Sequence, residues 1–599
     1  MANKNIKTIE FEDLGKGINM FTRDTMIADN ESMDGWNVWA VGKNSLAKRP
    51  GVVKFGEVAG VSKIDGLGAY YNGSTRKLLA MAGGSLYDVT TGSAVAVSAS
   101  PASAGVFTSG NRADFCQAGG NVYIANGVES VRKFDGTTVR DQAGSIVAKY
   151  LMFYKASLWA WGNPTAGNET RLYRSGTDYN IGNFTYQNSK TGTNTTLTAN
   201  KLVDSAGNFS SANVTVGVKV NNLTTGKDAV ITNIDSTTVL SLDTDIFGTL
   251  GTAYSILNNA WATSKYISQS DGQILNGAFK HQDYLYPVKE RSLWRANVGT
   301  DAYGLITLEM VDPARGCDSH HSIDTVENDN FMFNEIGVFA TGYEPNILDQ
   351  IRTNIVSLRI DPKLKSIQKS RLPNVEGIFF ENHYYLSYTS GGGTFNDTFS
   401  VYDRQRLGWW EFQVAGLNGT YIGANCLCEW KDPNGQTRLY FGSPIDGSIY
   451  YFDATSKSDP GYNITTSWVS KKFGLEKNLS QVKFFLDCEL YFGKTAGNIT
   501  IQVYIDGELA ETLTTQIGNT GTAGEGIASI GTEIIGVGGG SLELADSGGG
   551  DFVQIPLSAP GRNIQIKITD TTFDKSWELN GLIFHYKPLS ELYQPNVKT

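Results

Sequence analysis

The sequence predicts an all-β chain: a multi-bladed β-propeller with a small inserted β-barrel and a C-terminal β-sandwich. Three observations lead there. Among 599 residues are 67 glycines, 28 tyrosines, 28 phenylalanines and 11 tryptophans, while charged residues make up only 18%. Short aromatic strands joined by tight glycine turns have this composition. A turn–strand–turn motif with a central aromatic also recurs along the chain, and composition and strand length change twice, once mid-chain and once after Pro460.

The recurring motif is clearest in Gly83-Gly-Ser-Leu-Tyr87-Asp and in Asp446-Gly-Ser-Ile-Tyr450-Tyr-Phe-Asp. Weaker copies centre on Phe134, Tyr173, Trp294, Phe339 and Tyr402. Successive markers lie 47, 39, 121, 45, 63 and 48 residues apart. A period of about 40–50 residues holding several short strands is the signature of propeller blades. Seven markers predict six to eight blades, with seven the best count.

The 121-residue interval holds the insertion. From Gln187 to Ala260 tryptophan disappears and Thr, Asn and Val dominate, as in Val214-Thr-Val-Gly-Val-Lys-Val-Asn-Asn. Alternation broken by Asn-Asn, Asp-Ser and Gly-Thr turns predicts a four- to six-stranded barrel in a blade loop, where insertions cost little. After Pro460 longer alternating strands follow, such as Asn498-Ile-Thr-Ile-Gln-Val-Tyr-Ile and Asn563-Ile-Gln-Ile-Lys-Ile. They predict an antiparallel sandwich. The division is then 1–60, an extended arm closing onto the propeller; 61–187, the first blades; 188–260, the barrel; 261–456, the remaining blades; and 457–599, the sandwich. One helix is expected, covering a blade edge, because Ile347, Ile351, Ile355 and Leu358 recur at helical spacing.

The net charge of −10 argues against a protein whose main task is neutralising phosphates. Met1 to Glu10 contains no apolar run of leader length, so synthesis in the cytoplasm is expected. Cys116, Cys317, Cys426, Cys428 and Cys488 are few and odd in number, which favours free thiols. In a strand, Cys426 and Cys428 point to one face as small packed groups. His281, His320, His321, His383 and His585 form no zinc motif, and strand alternation would turn His320 and His321 opposite ways. No nucleophile elbow or phosphate loop is present. Any acid pair, such as Glu290 with Asp324, is arbitrary without a measured separation. Asp204 and Asp243 are read as turn residues rather than calcium ligands. No catalytic, cofactor-binding or metal residue is therefore assigned, and a non-enzymatic protein without cofactors is expected.

One segment is recognisable. Gly17-Ile18-Asn19, Asp29-Asn30-Glu31, Asn37-Val38 and Leu46-Ala-Lys-Arg49-Pro50-Gly51 together resemble the opening of bacteriophage tail nozzle and tail hub proteins of the packaged-DNA-stabilisation kind. The inserted module and the stretch from Ser467 to Phe485 resemble parts of phage structural proteins too, so that the resemblance touches about half the chain. It implies a virion component, made in the host cytoplasm and located in the tail below the portal–adaptor complex. Implied partners are that complex, tail fibres or spikes, copies of itself in a ring, and phage DNA passing without sequence recognition; direct membrane insertion is not implied. The alternative is a host-receptor or glycan-binding tail-tip protein, motivated by the aromatics and the sandwich. The barrel and the large sandwich depart from the simplest members of that group.

Overall fold

A computed structural model describes residues 6–177, 180–185, 190–209, 214, 216–257, 262–298, 306–343, 351–476, 481–493, 497–517, 542–543 and 551–589. Its described residues form seven blade sheets of four antiparallel strands each, one of which gains a short parallel edge strand, Ser98–Ala99. Their innermost strands are Ile64–Asn72, Asp114–Ala118, Tyr150–Tyr154, Leu275–His281, Asp324–Val326, Glu376–Phe380 and Cys426–Lys431. Neighbouring inner strands pack together in every blade pair but 4 and 5, and the last returns to the first, so the ring closes. The turn His320–Ser322 fills the gap between blades 4 and 5.

All seven aromatic markers fall on the third strand of their blades, for example Tyr87 on Ser85–Asp88 and Tyr450 on Ser448–Asp453. The reason is packing. A blade is covered on both faces by its neighbours, so both sets of alternating side chains are apolar. In blade 6, Tyr384, Leu386 and Trp409 pack towards Phe331 and Phe333 of blade 5. From the other face Phe399, Val401 and Trp410 pack with Phe441 and Tyr450 of blade 7.

Blade 7 is completed by the N-terminal strand Gly51–Glu57, paired antiparallel with Ser448–Asp453. The expected helix is instead a strand: Ile351–Ile355 supplies the outer strand of blade 5, paired with Gly337–Tyr343. β-Branched residues satisfied both periodicities, and the blade's unpaired edge decided between them. Ile347 lies outside the described residues, and Leu358 begins a single 3-10 turn.

The insertion separates the third and fourth strands of blade 3, Arg171–Arg174 and Thr263–Tyr266, which accounts for the long marker interval. Within it, Lys190–Thr193 pairs with Ala253–Leu257, and Thr196–Thr198 pairs with Lys201–Val203. One nearly continuous stretch thus borders both ends of a seven-stranded sheet, which curls into a barrel around Leu202, Val220, Ile231, Leu240 and Tyr254.

Of the expected arm over 1–60, the described residues 6–60 divide between two units rather than forming a separate arm. Lys7–Phe11, Val38–Val41 and Ser45–Lys48 join a sandwich sheet containing Lys483–Phe492, Asp551–Gly561 and Glu578–Pro588. Ser32–Trp36 joins the opposite sheet beside Thr466–Ser470. The sandwich therefore needs both ends of the chain. Its core, including Phe485, Leu490, Ile501, Ile566 and Trp577, is continuous with that between blades 6 and 7.

The joint is polar at its centre. Arg49, fully buried, donates from Nη2 to Asp459 Oδ2 at 2.6 Å and to the Gln413 carbonyl at 2.7 Å. Its Nε donates to Asn37 Oδ1 at 2.8 Å, and the same oxygen accepts from Gln413 N at 2.7 Å. Asn37 Nδ2 donates to the Thr465 carbonyl at 2.7 Å. Asn37 adopts a left-handed backbone (φ 58°), which Asn tolerates better than most residues. Next to it Lys48 and Asp570, both fully buried, pair at 2.8 Å. Further upstream, Asn19 Nδ2 donates to Glu31 Oε2 at 2.7 Å, and Glu31 Oε1 meets Arg359 at 2.6 Å. Gly17 (φ +80°) passes so close to Trp409 that a Cβ would lie 2.5 Å from its carbonyl oxygen.

Breaking a buried ion pair from one side leaves an uncompensated charge and costs about 3–5 kcal/mol. Asp459→Ala is therefore expected to lower unfolding stability by about 3–5 kcal/mol, whereas Arg49→Met with Asp459→Leu loses less. Urea denaturation of the two variants checks this.

Candidate functional site

The inner strands all start at the same end of the propeller axis. Residues at or just before those starts converge there: Lys63, Arg112, Lys149, Glu376 and Asn425. They line a cavity of about 190 Å³ at the axial mouth. Below it is a second cavity of about 300 Å³, lined by Arg112, Asp114, His320, His321, Asp324 and Glu376 among others.

The two cavities share the Arg112–Glu376 pair, which spans blades 2 and 6. Arg112 Nε donates to Glu376 Oε1 at 2.8 Å and Nη2 to Oε2 at 3.1 Å, a fork that fixes both planes. Nη1 donates to the Ala113 carbonyl. Burial pushes the Glu376 carboxyl up, against the pull of Arg112.

Asp114 and Asp324 perform one task in different blades. Asp114 Oδ2 accepts from Leu151 N, on the inner strand of blade 3, at 2.7 Å. Asp324 Oδ2 accepts from Phe379 N, on the inner strand of blade 6, at 2.7 Å. Each carboxyl ties its own inner strand to the next. Burial raises Asp114 to about 7 and Asp324 to about 6, against these N–H donors.

His320 and His321 lie in a 3-10 turn, not a strand, so their rings do not point opposite ways. Both approach Tyr150, with ring centroids 4.7 and 5.5 Å away, and His320 also meets Trp161 at 4.9 Å. Burial, with the nearby Arg112 cation, lowers His320 to about 3 and His321 well below its usual value.

The remaining residues singled out in the sequence do not converge. Asp324 lines the axis, whereas Glu290 acts on Asp318. Asp204 accepts from Tyr254 Oη at 2.7 Å and Asp243 from Val230 N at 2.7 Å, a core and a turn role inside the barrel. His281 Nδ1 lies 3.2 Å from Asn330 Nδ2, and His383 stacks near Trp39 at 5.0 Å. All five cysteines are free. Cys426 and Cys428 pack in the core between blades 1 and 7, where burial pushes both thiols up to about 12.

A separate cluster lies on the sandwich. Cross-strand pairing places His585 opposite Asp487, with Nδ1 and Oδ1 2.5 Å apart. Glu489 is two residues along the same face, and the three donor groups lie within 4.8 Å of one another on a half-buried surface. Among the described residues this is the one grouping with metal-ligand chemistry. Its imidazole is already held by Asp487. Sequence shows Asp487 and Glu489 alternating, but their meeting with His585 depends on strand register. The axial residues carry a better signal: a charged residue just ahead of an aromatic inner strand, as in Arg112-Ala-Asp-Phe and Lys149-Tyr.

Fold and axis together define a closed seven-bladed β-propeller carrying a barrel on one blade and a sandwich built from both chain ends. No protein family and no curated protein sequence matches the chain. Among solved structures, YCF48 bound to a D1 peptide aligns over 69% of this chain and 97% of its own, with TM-score 0.31 and 8% identity. The N-terminal domain of Nup159 aligns over 68% and 96%, with TM-score 0.32 and 9% identity. At that level these are likenesses of overall shape and bear on nothing else.

Two outcomes test the axis. Glu376→Gln leaves the Arg112 guanidinium without its buried counter-charge and is expected to cost about 3–5 kcal/mol in chemical denaturation. The histidines set a pH dependence. Their folded pKa values are depressed, so as pH falls from about 6.5 towards 3 the unfolded chain takes up protons first and stability is lost. The raised carboxyls act in the opposite sense, gaining stability as pH falls from about 7. Replacing His320 and His321 by Asn is therefore expected to flatten the acid loss, by up to about 1.4 kcal/mol per pH unit for each imidazole. Melting temperature against pH for wild type and variant reads it.

Proposed function

We propose that this protein is a structural component of a bacteriophage tail, a nozzle or hub subunit below the portal–adaptor complex. It works by assembly, and by forming or gating the DNA exit channel, rather than by catalysis. The observation that carries this reading is the use made of the N-terminal motif. Gly17, Asn19, Glu31, Asn37 and Arg49, the positions that resemble tail proteins, are those that bolt the propeller to the sandwich. A motif devoted to rigidity suits a part that passes force between neighbours.

The geometry bears on where DNA would run. The axial cavities hold about 300 and 190 Å³ and are crossed by the Arg112–Glu376 pair. A duplex whose major groove alone is about 12 Å wide does not pass through them. The channel in this reading therefore lies between copies arranged in a ring. A net charge of −10 favours passage over capture, since like charges repel. Portal–adaptor proteins, fibres or spikes, and further copies of the chain are the partners, and the virion tail is its location.

Cryo-EM and mass spectrometry of purified virions provide the test. The expected result is a ring of this chain below the portal with the propellers around a central duplex-wide passage. Absence of the chain from the particle, or its presence only as a distal tip that blocks adsorption to host glycans when removed, overturns the proposal.

A further inference from the structure

The mouth of the propeller axis has an imbalance of charge that its own residues do not resolve. Four cations, Lys63, Arg112, Lys149 and Arg371, line the cavity of about 190 Å³ against one carboxylate, Glu376. Two of the four are compensated. Lys63 donates to the Gly110 carbonyl at 3.0 Å and lies 3.5 Å from Asp65, and Arg112 forks onto Glu376.

Lys149 and Arg371 are not. Among the described residues, neither side chain has a carboxylate partner. The Lys149 ammonium lies 5.2 Å from the centroid of the Tyr150 ring, held over its face. The Arg371 Nε is buried with no acceptor. Burial keeps the Lys149 ammonium below its ordinary range, with no acidic group to offset it. Both residues are half-buried, and a charge drawn partly out of water without a counter-charge costs stability. Two such groups facing one cavity describe half of a binding site.

From this geometry we infer that the axial mouth is a binding site for a compact phosphate-class oxyanion, held by Lys149 and Arg371. The charge matches, since phosphate near neutral pH carries between one and two negative charges, with its second pKa about 6. The chemistry matches as well: a guanidinium presents forked donors to phosphate oxygens, and an ammonium serves as a point charge. The size sets a limit. At about 30 Å³ per water, the cavity has room for roughly six waters, enough for a phosphate with part of its hydration but not for a nucleoside attached to it inside the cavity. The anion is either free phosphate or the terminal phosphomonoester of a longer molecule whose remainder stays outside. The inference does not rest on a role in a phage tail.

The experiment uses the full chain at constant ionic strength, with chloride as the competing anion. Inorganic phosphate is titrated by calorimetry and by thermal shift. Expected are saturable one-site binding and a rise in melting temperature that follows site occupancy. Lys149→Met and Arg371→Met are each expected to weaken binding about tenfold or more, the difference that 1.4 kcal/mol of lost interaction makes. Lys201→Met, on the distant barrel, should leave it unchanged.

A second readout separates a ligand site from a structural one. Without phosphate, both axial variants should melt at or above the wild-type temperature, because each removes a half-buried charge with no counter-charge. Glucose 6-phosphate in place of phosphate distinguishes the sources: binding of equal strength indicates a terminal phosphomonoester, and binding of free phosphate alone indicates the inorganic ion. The inference is overturned if phosphate gives no saturable effect beyond chloride, if the variants bind as wild type does, or if they melt lower without phosphate.

Discussion

The buried guanidinium of Arg49 is the constraint on which the rest of the architecture depends. A cation that is removed from water must be met on all sides, and here its partners come from four stretches of chain: Asn37, Pro50, Gln413 and Asp459. Propeller and sandwich can satisfy it only in one mutual position. The apolar core that runs between them supplies the larger share of burial, but apolar surfaces slide over one another with little penalty. The polar joint removes that freedom. Glu31 with Arg359 repeats the device, while Lys48 with Asp570 ties the two sheets of the sandwich to each other.

The propeller shows a division of labour between its faces and its axis. Between blades, aromatic and aliphatic side chains interlock, and tryptophans such as Trp159, Trp161, Trp409 and Trp430 are fully buried. Along the axis, where seven strand starts converge, the lining is charged. Asp114 and Asp324 use backbone N–H groups of neighbouring blades, so the carboxyls act as ties across the ring. A polar axis of this kind holds the blades in register and leaves two cations at its mouth over.

Sequence carried the local parts of this structure well. The aromatic of each blade was visible because every third strand needs a large side chain between two neighbours, and the barrel because it has its own composition. What lay beyond reach depended on distant pairing. Nothing near Val38–Val41 or Ser45–Lys48 announces that these strands lie in the same sheet as Glu578–Pro588. The Ile351–Ile355 segment fitted helical and extended periods equally, and only the open edge of blade 5 decided it. Nothing in the local sequence marks His320 and His321 as a turn, which the gap between blades 4 and 5 requires. At the axis, Arg112 and Glu376 are 264 residues apart, and their meeting is a property of the closed ring.

Both chain ends meeting in one sandwich has a consequence for biosynthesis. Lys7 is paired with Tyr586, 579 positions further on, and the outer strand of blade 7 is likewise made long before its partner. At translation speeds of about 5–20 residues per second, the first strands wait some 30–120 s for their complements. During that time the nascent chain exposes unsatisfied strand edges, and until Ser448–Asp453 is made blade 7 stands open. Glu578–Pro588 is thus the latch of the sandwich, and a chain cut short before it leaves Lys7–Phe11 without its partner strand.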